Sequence, residues 1–162
     1  YLPEHWMLGR LTEPPECVTL GSWNKTYDFR WITDGFIRTI LVNMKEKRGY
    51  LLRVNTKMFR DDEKAKKHVS KNIEKIKRKN IKVLEEGDIC IGGHKGKFLL
   101  WTKKSKSFLS RKEREELCAE IPIYCNSTKR LLWIKLKCSK PENFILDRGH
   151  ILKILSTITC HE

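Results

Sequence analysis

The chain has 162 residues, of which 40% are hydrophobic and 33% are charged, and its formal net charge is +14. This length and composition suit one folded domain with a sizeable core, and they exclude a disordered chain. No apolar run approaches the ~20 residues of a membrane-spanning helix, so we expect no membrane span. The positive charge predicts attraction to polyanions such as nucleic acid, although a lysine-rich solvated surface explains the charge equally well.

The N-terminal segment, residues 1 to 24, is rich in residues that interrupt regular structure. Pro3, Gly9, Pro14, Pro15 and Gly21 all fall within it, and they break any long period. We therefore expect an irregular arm that packs on the body through its apolar residues. Residues 25 to 162 are predicted to form a single α+β domain.

Strand signals follow the arm. Tyr27 to Trp31 alternates aromatic and charged residues, which is the period of a half-buried strand. Phe36 to Met44 and Tyr50 to Thr56 are two β-rich runs joined by a charged loop that ends in Gly49, so they predict a hairpin. The first of these runs carries apolar residues at both odd and even positions. We therefore expect the sheet to be covered on both sides.

Residues 61 to 79 have the period of a helix. Four apolar residues fall on one stripe (Ala65, Val69, Ile73 and Ile76), and acidic residues begin the segment while basic residues end it, which complements the helix dipole. Residues 60 to 82 contain ten basic and four acidic side chains, so the outer face is strongly basic. From this helix, polyanion or partner binding is predicted for Lys64, Lys67, Lys71, Lys75 and Arg78.

A second hairpin surrounds the glycine-rich sequence from Gly92 to Lys97. A phosphate-binding P-loop is excluded, because Ile91 stands where its first glycine belongs and Phe98 replaces the hydroxyl that holds magnesium. The glycines favour a hairpin turn instead, since its backbone needs positive φ. Phe98 to Trp101 is apolar on both faces, so its strand is predicted at the centre of the sheet. The turn adds three residues to the predicted binding site, namely His94, Lys95 and Lys97.

The rest of the chain predicts one more hairpin and a closing helix. Ser105 to Leu117 is interpreted as a short helix or an ordered basic loop. Glu120 to Cys125 and Leu131 to Cys138 are predicted to pair. For their apolar faces to match, the numbers of any two paired residues must add up to an odd value, for example 257. Pro141 to Thr159 repeats apolar residues at helical spacing, which predicts a helix that faces the core.

The sequence carries no signature of a metal, cofactor or catalytic site. The patterns C-x-x-C, H-x-x-x-H, H-E-x-x-H and G-x-S-x-G are absent, so we predict no metal site, no cofactor and no catalytic residue. A pair formed by a cysteine and His94 or His150 is conceivable as nucleophile and base, but no spacing ties the two together.

Six cysteines leave the cellular compartment open. The chain has no glutamine and is rich in Lys, Ile and Glu, a composition associated with hyperthermophiles, whose cytosolic proteins can hold disulfides. We therefore expect a cytoplasmic protein of a thermophile. Secretion is the alternative, because the sequence starts at Tyr1 and combines six cysteines with two N-x-[ST] sequons.

The order of predicted elements is strand, hairpin, basic helix, two hairpins and a C-terminal helix. This order predicts an α+β fold in which an antiparallel β-sheet is sandwiched between helices, in α/β/α layers. The strand pair FIRTILVNM and YLLRVNT, the hairpin IGGHKGKFLLW, the strands AEIPIYC and LLWIKLKC, and the ending HILKILSTITC together resemble the PsbP-like family. That family includes an extrinsic photosystem subunit and a Ran-binding nuclear import factor.

Most members of that family are non-enzymatic binding or assembly factors, which the resemblance implies here. We therefore expect a non-enzymatic binding or assembly module with a basic surface and an unknown protein partner. A first alternative is a protein that binds nucleic acid or another polyanion through the basic helix face, with Trp101, Trp133 or Phe108 stacking on bases. A second alternative is an enzyme with an unrecognised active site.

Overall fold

The computed structural model describes residues 2–11, 18–19, 35–106 and 113–158. Its elements are β1 Trp6–Leu11, β2 Val18–Thr19, β3 Gly35–Asn43, β4 Arg48–Met58, α1 Asp62–Lys77, β5 Lys82–Ile91, β6 His94–Lys106, β7 Glu113–Cys125, β8 Arg130–Cys138 and α2 Pro141–Ser156. The strand predicted at Tyr27 to Trp31 lies outside the described residues. Within the described ranges, no helix is long and apolar enough to cross a membrane.

The strands form one antiparallel sheet in the order β2-β1-β3-β4-β8-β7-β6-β5. Three hairpins, β3–β4, β5–β6 and β7–β8, supply most of it, as the sequence predicts. In the last hairpin Ile121 pairs with Ile134, so the paired numbers sum to 255 rather than 257. The sum is odd, as predicted, because any other parity would turn one strand's apolar side chains away from its partner's.

The expected α/β/α layering is wrong. The described chain holds two helices of 16 residues each against eight strands, so the described part of the molecule is mainly sheet and each face carries one helix where a full helical layer was expected. The sheet is larger than expected partly because of the segment Ser105 to Leu117, which we predicted to be a short helix or an ordered loop. Its described residues instead extend β6 and β7, each of which is 13 residues long.

The main core lies between α2 and one face of the sheet. Phe144, Ile151 and Leu155 of α2 are fully buried there against side chains from β4, β6, β7 and β8. α2 also contacts both flanks of the sheet, because Asp147 bonds to Asn43 of β3 and Arg148 bonds to Glu85 of β5. These strands lie five steps apart, about 24 Å in a flat sheet, whereas a helix is only about 10–12 Å wide. The sheet must therefore curve around α2.

A smaller core lies between α1 and the opposite face. Ile73 of α1 is buried against Leu99, Trp101 and Cys118. The helix starts as predicted, because the carboxylate of Asp61 accepts a hydrogen bond of 2.7 Å from the backbone N–H of Lys64. This cluster has four buried members against 21 in the main core, so α1 covers only part of its face.

A buried polar cluster fixes α2 to the hairpin β3–β4. Asp147 is 2% exposed and receives two hydrogen bonds of 2.7 Å from the guanidinium of Arg48. The hydroxyl of Tyr50 lies 2.6 Å from Oδ2 of Asp147, and the amide of Asn43 donates to Oδ1 at 3.2 Å. Burial raises the pKa of Asp147, but the bonds from Arg48 and Tyr50 outweigh burial and leave that pKa below its ordinary value. The cluster is therefore a charged clamp between helix and sheet.

Two further expectations differ from the structure. Residues 6 to 11 form β1, which pairs with β3, where an irregular arm was expected, and Trp6 is buried against Tyr50. The strand β6 is not central, because only β5 lies beyond it at that end of the sheet. Its two apolar faces are explained by α2 on one side and α1 on the other.

The four described cysteines, Cys90, Cys118, Cys125 and Cys138, are free thiols. Cys118 and Cys138 belong to different cores on opposite faces of the sheet, as the odd register predicts. Cys17 and Cys160 lie outside the described residues. Burial raises the pKa of the Cys118 thiol to about 12, which makes it an inert core residue.

Candidate anion-binding groove

A groove of about 780 Å³ lies between α1 and the part of the sheet that α1 leaves uncovered. Strands β3, β4, β7 and β8 form its floor, and one side of α1 forms its wall. The charged residues described in its lining are seven basic side chains and one carboxylate: Arg38, Arg53, Lys57, Lys75, Lys79, Lys135, Lys137 and Glu120. We call it the basic groove. A concave site lined by one sign of charge concentrates the field and attracts counter-ions.

Three of these cations form a row across the floor, which we call the cation row. Arg38 of β3 pairs with Arg53 of β4, and Arg53 pairs with Lys135 of β8. Side chains opposed in this way have Cβ atoms about 4.5–5.5 Å apart, and like charges at that separation destabilise a sheet. The fold therefore brings three positive charges together against a local rule of sheet stability. Such violations concentrate at functional sites.

Glu120 lies beneath one end of the cation row. It is 1% exposed, its Oε1 lies 2.5 Å from Nζ of Lys135, and its Oε2 accepts a hydrogen bond of 2.7 Å from the indole N–H of Trp133. One carboxylate thus compensates Lys135 and holds the Trp133 ring in the floor.

The remaining cations lie at the rim. Lys57, Lys75 and Lys79 are exposed, and none of them makes an ion pair with a carboxylate in the part of the chain that the structure describes. Lys137 differs, because its ammonium lies 2.8 Å from Glu116. Most of the positive charge in the basic groove is therefore available to a ligand.

His68 lies on the α1 wall of the basic groove, where the positive charges of the groove affect its pKa. Its ring lies 5.0 Å from that of Phe59, and it is partly buried. Burial lowers the pKa of His68 below its ordinary value, and the positive charges of Lys57, Lys75 and Lys71 lower it further. The neutral imidazole is therefore favoured at neutral pH, and compensation of the surrounding positive charge would raise the pKa of His68.

The structure separates the eight residues predicted as a binding site into three groups. Lys75 alone lines the basic groove. Lys64, Lys67, Lys71 and Arg78 are exposed on the outer face of α1 and line neither groove described in this section. His94, Lys95 and Lys97 line a second groove on the other side of α1.

That second groove, of about 610 Å³, carries balanced charge among its described residues. Its four acidic and four basic side chains are Asp62, Glu74, Glu86, Asp88, Lys66, Lys77, Lys95 and Lys97. Three ion pairs join them, at 2.6 Å for Lys66 with Asp62, 2.6 Å for Lys77 with Glu86 and 2.7 Å for Lys97 with Asp88. We call it the mixed-charge groove. It presents no excess of positive charge to a polyanion.

The glycine-rich sequence beside the mixed-charge groove is a hairpin turn, as predicted. Ile91 pairs with His94, so Gly92 and Gly93 are the two turn residues, and both have positive φ, at 55° and 78°. This geometry is the type I′ turn that suits the twist of a hairpin. The turn is explained by its structural role.

Sequence reasoning missed the cations that the strands supply. A signal was present in β8, where Trp133, Lys135 and Lys137 alternate with the buried residues Ile134 and Leu136. Alternation places the two lysines and the indole on one face. The predicted binding residues came mainly from the helix, because its lysines lie close together in the sequence. The cation row forms only when three strands are aligned, so no single segment indicates it.

Two of the described carboxylates, Glu120 and Asp147, are buried in the fold. No group of three or more His, Cys, Asp or Glu side chains among the described residues could hold a metal ion. The buried carboxylates Asp147 and Glu120 are both engaged by cations and hydrogen-bond donors, an environment that suits structural anchors. Anion binding is the chemistry that the basic groove can provide.

Comparison with known proteins gives a fold and no function. No protein-family model matches the chain, and no curated protein matches it. Among solved structures the chain is similar to PA94 from Pseudomonas aeruginosa, a protein of unknown function, with a TM-score of 0.60 and 12% identity over 98% of this chain and 99% of that chain. At this identity the likeness shows a shared fold alone. The resemblance to the PsbP-like family stays a prediction.

Proposed function

We propose that the protein is a non-enzymatic binding module whose basic groove takes up a polyanion. The observation that carries the proposal is the cation row, in which Arg38, Arg53 and Lys135 are directly opposed on neighbouring strands. Cations opposed in this way lie close enough for one anionic group to contact more than one of them. A polyanion over the row would therefore meet several positive charges at once.

The surroundings of the row support the same function. The rim cations Lys57, Lys75 and Lys79 have no ion-pair partner among the described carboxylates, and a groove of about 780 Å³ can accommodate a chain-like ligand as well as a compact one. The mixed-charge groove in the same molecule differs, since three of its four lysines are paired with acids. A non-enzymatic binding role also agrees with what the PsbP-like resemblance implies.

The test compares two double substitutions on α1 and the residues just after it, with inorganic polyphosphate as the probe. Lys75→Gln with Lys79→Gln removes two rim charges of the basic groove, whereas Lys67→Gln with Arg78→Gln removes two charges from the outer face. Affinity is measured by calorimetry at about 50 mM and about 200 mM salt. We expect the first pair to weaken binding several-fold and to lower the slope of log affinity against log salt by about 1.4, as for two lost phosphate contacts on a flexible strand.

The outer-face pair is the matched control and should leave that slope nearly unchanged. Equal losses in both double variants would mean that binding depends on overall charge and not on the groove. Absence of polyphosphate binding by the wild-type protein at about 50 mM salt would refute the proposed function.

A further inference from the structure

We infer that the polyanion taken up by the basic groove is a single-stranded nucleic acid. The inference rests on the proposed function and adds the chemical class of the ligand. Its basis is that the groove combines charge with two features that a phosphate chain or an acidic peptide does not require, namely a fixed aromatic surface and amide groups on the floor and wall.

The aromatic surface is the indole of Trp133. It lies in the floor of the groove and is partly exposed, and the apolar residues Leu51, Leu131 and Ile76 also line the groove. The hydrogen bond from its N–H to the buried carboxylate of Glu120 fixes the orientation of the ring. Single-stranded nucleic acids bind by placing bases on such rings while cations follow the backbone. Trp101, the other described aromatic candidate, is buried beneath α1 and has no such exposure.

The amide groups belong to Asn55 and Asn72. Oδ1 of Asn55 accepts a hydrogen bond of 2.9 Å from Arg53, which leaves its NH₂ group as a donor toward the groove. The NH₂ group of Asn72 donates to the carbonyl of His68 at 2.9 Å, which leaves its Oδ1 as an acceptor. The groove thus offers both kinds of partner, as base edges do. Phosphate and carboxylate groups present acceptors alone, so they cannot use the oxygen of Asn72.

A single strand fits these features better than a duplex. In a duplex the faces of the bases are stacked on each other and cannot reach an indole in a groove floor, whereas unstacked bases can be splayed onto aromatic side chains. Trp133 is opposite Asn55 in the β4–β8 register, two residues along each strand from the pair of Arg53 and Lys135. Backbone cations and the stacking surface are therefore adjacent.

The experiment measures fluorescence anisotropy of three labelled probes with the whole protein at low salt. The probes are a single-stranded oligothymidylate of about 12 nucleotides, an abasic oligomer with the same number of phosphates, and a duplex of the same length. We expect the oligothymidylate to bind at least about ten-fold more tightly than the abasic oligomer, because each stacked base adds affinity beyond that of the backbone. The duplex should bind more weakly than the oligothymidylate.

Variants at position 133 test whether Trp133 causes the preference for the oligothymidylate over the abasic oligomer. Trp133→Leu should reduce the ratio of the oligothymidylate and abasic affinities to about three or less, whereas Trp133→Phe keeps a stacking ring and should retain most of the ratio. If Trp133→Leu fails to fold, the comparison of the two probes on the wild-type protein remains decisive. Equal affinities for them, both falling steeply with salt, would overturn the nucleic-acid inference and leave the proposed function intact. No binding of any probe would refute both.

Discussion

Arg38 and Arg53 carry like charges and are opposed on neighbouring strands. Removing one of the two charges should therefore weaken polyanion binding without lowering the stability of the fold. Arg38→Gln removes one of two opposed charges and a side chain that is already exposed. We expect the free energy of unfolding to stay level or to rise by roughly 0.2–1 kcal/mol, while affinity for a polyanion falls. Denaturant unfolding and calorimetry measure the two quantities. A clear loss of stability would mean that the row is structural.

His68 should make binding depend on pH. Its pKa is lowered by burial and by Lys57, Lys75 and Lys71, so the free groove holds a neutral imidazole. A bound polyanion compensates those charges and raises the pKa of His68, and the complex therefore binds a proton that the free protein does not. Affinity should increase as the pH falls from about 8 to about 5.

The same titration with His68→Gln should remove most of this pH dependence, since the cations that line the groove are lysines and arginines, which stay charged over this range. An unchanged pH profile in the variant would show that His68 does not take up the proton.

At the scale of elements, the contact between β6 and β7 depends on Gly96. A Cβ at this position would lie 2.6 Å from the carbonyl oxygen of Pro122 and 3.1 Å from the side chain of Ile123. The first neighbour is backbone and cannot move aside without shifting the strand. Gly96→Ala should therefore lower the free energy of unfolding by about 1–3 kcal/mol.

Gly87 on β5 is the matched control for that substitution. It is a strand glycine with no heavy atom within 4 Å of its Cβ position, so Gly87→Ala should leave stability level or raise it slightly, because alanine has less conformational freedom to lose. Equal losses in the two variants, measured by denaturant unfolding, would contradict the close approach at Gly96.

The clamp between α2 and the hairpin β3–β4 depends on the charge of Asp147. Asp147→Asn leaves Arg48 without its buried counter-charge and weakens the bonds from Tyr50 and Asn43, so unfolding should become easier by about 3 kcal/mol. The pKa of Asp147 in the folded protein is below the ordinary 3.8. Its stabilisation is therefore complete above that ordinary pKa and is lost as the pH falls through the lower pKa of the folded state.

Acid unfolding of the wild type and of Asp147→Asn tests the direction of this pH dependence. The wild type should lose stability as the pH falls below about 4, whereas Asp147→Asn should start lower and lose less over the same range. A variant whose acid profile parallels that of the wild type would show that Asp147 is not the group that titrates.

Local patterns predicted the elements well, because each is encoded by neighbouring residues. The helix stripe from Ala65 to Ile76 and the parity of the β7–β8 register are both set by side-chain periodicity, and both are confirmed. The helix α2 begins at Pro141, as the pattern predicts, but the burial of Asp147 in its middle was not predicted. A buried acid in mid-helix has no local signal, since its partner Arg48 lies 99 residues away.

At the scale of the whole molecule, the order of strands could not be read from the sequence. The adjacency of β4 and β8 joins residues from distant parts of the chain, and together with the β3–β4 pairing it creates the cation row in the floor of the basic groove. The α/β/α layering failed for the same reason, because the extent of the sheet depends on how long β6 and β7 run beside each other. The net charge of +14 indicated a polyanion without indicating where it binds.

The site of binding is therefore the decisive property, and amide chemical-shift mapping during a polyphosphate titration measures it most directly. We expect the largest shifts in β4, in β8 and from His68 to Lys79, which covers one side of α1 and the residues just after it. The turn at Gly92 and Gly93 should change little. Shifts concentrated on the outer face of α1 at Lys64, Lys67 and Lys71, or at the turn beside the mixed-charge groove, would contradict this expectation.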